Sequence, residues 1–187
     1  MNRELKEIFD EDQRECLNQP ADNTPQHKAM RMRIKERMAK TQAIVDSSVS
    51  LSGQDYFHAC VVFLHGDCPD DFWQAYHYAL KSVELNYPSA RKFAAAAYDR
   101  WLMYQGKPQK YGLQYVPDGT SIRVWDTDPQ TTDAERAKWD VPPLQKLHEN
   151  AQEVTKRVDW SKIDMQNKPQ WLKEAVKRWQ SADKQKQ

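Results

Sequence analysis

Apolar residues recur at helical intervals from the start of the chain. Leu5, Ile8, Phe9, Asp12 and Cys16 share one face, and Asn18, Pro20, Asn23 and Pro25 then interrupt it, which predicts a first helix and a loop. Met30, Ile34, Met38 and Val45 form the buried stripe of a second helix, whose other positions carry Lys28, Arg31, Arg33, Lys35, Arg37 and Lys40. That charge run reads as a solvated face over a stripe, so nucleic acid is not expected as a partner. Ser52 and Asp55 are spaced as a capping pair, residues 56–64 are apolar almost all round, and Gly66 offers a left-handed stop. This third helix is expected to be central. Pro69, Asp70 and Asp71 suit the start of a fourth, which continues through Phe72, Ala75, Ala79, Leu80 and Val83 until Asn86. Pro88 opens a fifth, with four consecutive alanines at 94–97 that admit a close neighbour and with Gly106 to end it.

After Gly106 the period changes. Residues 111–116 and 120–125 alternate loosely around Pro117, Asp118 and Gly119, which is hairpin chemistry. Thr132 and Glu135 cap a short helix ending near Trp139, and Pro142 and Pro143 separate it from a polar helix over 144–157. Leu172, Ala175, Val176 and Trp179 stripe a basic final helix before residues 181–187 fray. The expected fold is therefore mainly α: a compact helical bundle with a short β-hairpin near residues 109–126 and a helical C-terminal extension. The expected division is a helical core, 1–147, and a basic, Trp-containing extension, 148–187.

Composition narrows the classes of function. The 28 Lys and Arg against 27 Asp and Glu leave a net charge of +1, which argues against one large field for nucleic acid or an anionic membrane. The longest apolar run, residues 59–64, is far short of the roughly 20 needed to cross a bilayer. Three cysteines, Cys16, Cys60 and Cys68, are odd in number and too few to staple the chain, so a reducing, cytoplasmic setting without disulfides is expected. The charged amino terminus lacks the apolar core of a secretory signal.

Asp55, His58 and His65 carry the strongest chemical signal, because spacings of three and seven put all three close to one line of a helix. A carboxylate one turn before an imidazole fixes its tautomer, so Asp55 is expected to orient His58 as a general base. Asp99 and Arg100 follow the alanine run and point roughly 100° apart, so each needs a partner elsewhere. Asp12 and Arg14, with Gln13 between them, are candidates for that role. No HxxxH or CxxC pair occurs, so neither a metal nor another cofactor is expected. Cys68 precedes a helix start, where a dipole can lower a thiol pKa. Nucleotide loops and the GxSxG hydrolase motif are absent.

The succession DEDQRE, QDYFHACVVFLHG, AYHYALKSVEL, AAAAYDRWLMYQGKPQKYGLQ and VPPL resembles the largely bacterial family called domain of unknown function 6624, over residues 5–144. The likeness is concentrated at Asp12, Gln13, Arg14, Asp55, Tyr56, His58, Ala59, His65, Gly66, Asp99, Arg100, Gln109, Gly112 and Gln114. It implies that these groups belong together and supplies no activity. Leu64 and Leu113 depart from the glutamine and threonine usual in such sequences.

Two functions compete. In the first, a small-molecule enzyme uses metal-independent acid/base chemistry, for hydrolysis, elimination or cyclisation, in a pocket between helices and in a biosynthetic setting. His58, Asp55, His65, Asp99 and Arg100 are its expected catalytic groups, with Arg100 holding an anionic or carbonyl oxygen. Asp12, Gln13, Arg14, Tyr56, His77, Gln109 and Gln114 would position the substrate. In the second, the chain is a helical interaction module that binds a protein partner, or itself, through Trp171 and Trp179.

Overall fold

A computed structural model describes residues 1–184 of the chain. The described residues form α1 (Arg3–Cys16), α2 (Pro25–Ser47), α3 (Gly53–Leu64), α4 (Pro69–Glu84), α5 (Arg91–Tyr104), α6 (Asp133–Lys138), α7 (Leu144–Thr155) and α8 (Gln170–Lys184). A single antiparallel hairpin, β1 (Tyr115–Pro117) and β2 (Ile122–Val124), interrupts them, with Val116 opposite Arg123. The mainly α bundle expected from the hydrophobic pattern is what the chain adopts. Among the described residues no helix is long and apolar enough to cross a membrane.

Caps set several boundaries. Thr24 Oγ1 accepts the His27 N–H, and Pro25 takes the first helical position, where its missing N–H costs nothing, so Pro25 begins α2 instead of belonging to the break. Ser52 and Asp55 close a reciprocal capping box on α3. Gly66 does not adopt the left-handed stop expected of it. It is a glycine because a Cβ there would lie 2.3 Å from the Asp71 Cβ. Asn86 and Gly106 do adopt positive φ where their helices end. Pro88–Ala90 is a 3₁₀ turn that precedes α5.

α3 is the central element. Its Ala59, Cys60, Val62, Phe63 and Leu64 pack with Ile8 of α1, Met30, Ile34 and Met38 of α2, and Ala75, Tyr78 and Ala79 of α4. Ala94 and Ala97 of α5 complete this core, where alanines let the helix approach. A second cluster seats α8 on the hairpin: Leu172, Ala175, Val176 and Trp179 against Met103, Val116 and Trp125. A third joins Leu147 and Ala151 of α7 to Tyr111, Val124 and Val141. The boundary expected after residue 147 thus falls inside α7, whose two buried positions flank it. The final helix runs through Lys184, past the fraying expected at 181, and residues 185–187 lie outside the described part.

Candidate functional site

The carboxyl end of α3 gathers polar groups from three other helices. Helix ends leave carbonyls without partners, and here two guanidinium groups take them: Arg31 of α2 donates to the His65 carbonyl at 2.8 Å, and Arg100 of α5 donates to the Leu64 carbonyl. Both cations also suit the negative end of the helix dipole. His65 caps the helix, and its Nδ1 lies 2.6 Å from Asp12 Oδ2. Asp12 is wholly buried on α1 and takes Arg37 Nε on its other oxygen at 3.2 Å. Gln13 Nε2 reaches the same carboxylate at 3.3 Å. Arg37 continues to Glu15 at 2.7 Å, and Arg33 binds Glu15 as well. Burial raises the Glu15 pKa, but the two arginines outweigh it and hold the carboxyl below its ordinary range.

The Asp12 bond decides the form of His65. A carboxylate can only accept, so Nδ1 carries the proton, and in the neutral tautomer that this bond selects Nε2 is the unprotonated nitrogen of a ring that is 25% exposed. Cys16 lies one helical turn beyond Asp12, and the three side chains bring ligating atoms within 4.8 Å of one another. By residue type they are a set that could hold a metal. Arg37 and His65 already occupy the Asp12 oxygens, and burial followed by the Asp12 charge pushes the Cys16 thiol up to about 11. A protonated thiol and a paired carboxylate make a proton network. Asp67, Cys68 and Asp71 form another such group, in which Asp71 accepts the Asp67 and Cys68 N–H groups. Burial raises the Cys68 pKa, the opposite of the lowered thiol expected at a helix start.

The Asp55–His58 pair expected from sequence does not form. Asp55 accepts Ser52 N–H, Ser52 Oγ and the Asn2 N–H, so its oxygens cap α3 and pin the amino terminus. Burial raises its pKa, yet these bonds and the terminal ammonium bring it below the usual value. His58 is 4% exposed, stacks on Phe9 at 4.5 Å between ring centroids, and has no partner for Nδ1. Burial lowers its pKa below 6.5. The unfolded chain therefore takes up the proton first, and stability present above pH 6.5 declines as the pH falls toward the folded-state value. His58→Phe is expected to flatten that part of the stability profile between pH 7 and 5, read by denaturant midpoints; an unchanged slope would show that His58 is not the source.

Asp99 and its neighbours hold a loop. One Asp99 oxygen accepts the N–H groups of Lys110 and Tyr111 and the other those of Gly112 and Leu113, all at 2.8–2.9 Å. Burial pushes its pKa up to about 6 and the four donors pull the other way. All four backbone donors turn inward because Gly112 has a φ of +98°, and a Cβ there would meet Leu147 at 2.9 Å. These bonds also explain why β1 starts only at Tyr115: the N–H groups of 110–113 are spent on Asp99, not on a strand partner. Gln109 is wholly buried and clips the same turn, donating to the Gln114 and Trp125 carbonyls and accepting the Gln114 N–H. Gln114 bonds Arg100 Nε and the Ala96 carbonyl. Asp99, Gln109 and Gln114 are thus fully engaged in building the turn, and neither Asp12 nor Arg14 is their partner.

Three further candidates stand apart from the α3 terminus. Arg14 is exposed and bonds the Asp10 carbonyl. Exposed His77 meets the Trp73 ring edge to face, and Tyr56 packs against Tyr78. Arg37, Glu15 and Cys16 are the participants the sequence reading missed. Arg37 had a signal: it continues the stripe of Met30, Ile34, Met38 and Thr41, the buried positions of α2, so it is no part of the solvated run. No family model, curated protein or solved structure matches the chain.

Proposed function

We propose that this protein is a small-molecule enzyme of the acid/base type, with His65 as general base and Asp12 as the residue that orients it. The observation that carries the reading is the 2.6 Å bond from the His65 ring to a wholly buried carboxylate. It fixes one tautomer, stabilises the imidazolium formed when Nε2 takes a proton, and leaves that nitrogen without a partner among the described residues. Base-catalysed hydrolysis, elimination and cyclisation all use such a proton transfer. Arg100 donates to the carbonyl of Leu64, the residue before His65, so the Asp12 and Arg100 networks meet at the end of α3. The interaction-module reading has less support, since Trp171 and Trp179, its expected anchors, pack against Trp125 within the chain.

The test is a cell-extract metabolite pool incubated with wild type and with His65→Gln, followed by mass spectrometry. Compounds that wild type consumes are expected to be turned over about 10²–10⁴-fold more slowly by a folded His65→Gln. A variant that consumes them at the wild-type rate would remove His65 from the chemistry.

A further inference from the structure

Among the described residues Arg100 is a charge without a counterion. Among the described residues no carboxylate lies within 4.0 Å of it, and its bonds run to neutral acceptors: Gln114 Oε1 at 2.9 Å and the Leu64 carbonyl. Phe72 presents its face to the guanidinium, 5.7 Å from the ring centroid. Among the described residues Nη2 has no partner. The end of α3 contributes about half a negative charge, which leaves a partly buried cation undercompensated. Burying a guanidinium in that condition is unfavourable unless something else supplies the anion.

The same residue opens on a cleft of about 250 Å³ between the end of α5, β1 and the approach to α8. Its walls mix polar and apolar surface: Met103, Val116, Pro117, Trp171 and Leu172 supply an apolar side, and Gln114, with Tyr104 beside Arg100, a polar one. Arg100 and Lys168 are the charged residues that line it, and Lys168 Nζ is held by Asp22 at 2.6 Å, so one net positive charge faces the space. The volume lies below the roughly 300–1,000 Å³ of drug-sized sites.

From these features we infer that the cleft is a binding site for a small carboxylate with a flat apolar body. The carboxylate sits on the free edge of the Arg100 guanidinium, whose unbonded N–H groups offer a fork matched to two oxygens. The body lies along Trp171 and Leu172. A single charge favours a monoanion over a phosphate dianion. The site stands on the charge and the walls of the cleft, so it does not depend on the role of His65.

Calorimetric titration of the full chain with benzoate, benzamide and phenyl phosphate tests the site. Benzoate is expected to bind at least about tenfold more tightly than its neutral isostere benzamide, and more tightly than phenyl phosphate. Arg100→Lys, which keeps the charge and loses the fork, is expected to weaken benzoate about tenfold. Arg100 also braces Leu64 and Gln114, so wild-type NMR provides a readout independent of that variant. Benzoate is expected to shift the Trp171 indole N–H and the Gln114 side-chain amide and to leave the Trp139 indole in place. Equal binding of benzoate and benzamide, tighter phenyl phosphate, shifts confined to other residues, or no binding at roughly 10 mM benzoate would each overturn the assignment.

Discussion

Asp99→Asn is expected to cost about 3–5 kcal/mol of folding stability. The carboxylate accepts four backbone N–H groups, two on each oxygen. An amide keeps one oxygen and turns a donor toward two of those N–H groups, so two buried donors lose their acceptor and face a third. No rotation of the side chain relieves this, because both ends of the carboxylate are occupied alike. Denaturant unfolding gives the stability change, and hydrogen exchange at the amides of 110–113 localises it. A loss under about 1 kcal/mol would show that the turn holds its shape without the carboxylate. Since Gln109 and Gln114 hang on the same turn, and Gln114 holds Arg100, the damage should spread to the cleft beside α8.

Asp12→Asn is expected to lower turnover about 10⁴-fold, the scale seen when the orienting carboxylate of a catalytic histidine becomes an amide. Arg37 Nε donates to Asp12 and claims the amide oxygen, which leaves the NH₂ facing His65 Nδ1. That nitrogen must then accept, the ring proton moves to Nε2, and the proposed base is blocked at the atom that should take the proton. The ¹⁵N shifts of the His65 ring report the exchange of tautomers without reference to any substrate. Wild type should show Nδ1 protonated, and Asp12→Asn should show Nε2 protonated. Reversed tautomers with full turnover would separate Asp12 from the reaction, whereas unreversed tautomers would mean that the amide had flipped and broken the Arg37 bond.

Much of the architecture was legible along the chain because helices are local. The apolar run of 56–64 located α3, the Ser52–Asp55 spacing located its cap, and Pro117, Asp118 and Gly119 located the hairpin. The same locality misled where one residue answered two local patterns. Asp55 fits both a capping box and an i,i+3 pair with His58, and the box wins because its partners are backbone groups at a helix start that have no other way to be satisfied. Trp171 and Trp179 read equally well as anchors for a partner or for the chain's own hairpin, and only the position of Trp125 and Asp126 chooses between them.

Helix positions, caps and the hairpin follow from contacts within a few residues, and local spacing records those contacts directly. Which carboxylate meets which cation does not. Asp12 and His65 are 53 residues apart, Arg37 reaches Asp12 across 25, and Asp99 of α5 gathers the amides of 110–113 from the loop that follows the helix. A buried charge takes whichever partner the packing of α1, α2, α3 and α5 brings within hydrogen-bond distance, and that distance is a property of the assembled helices.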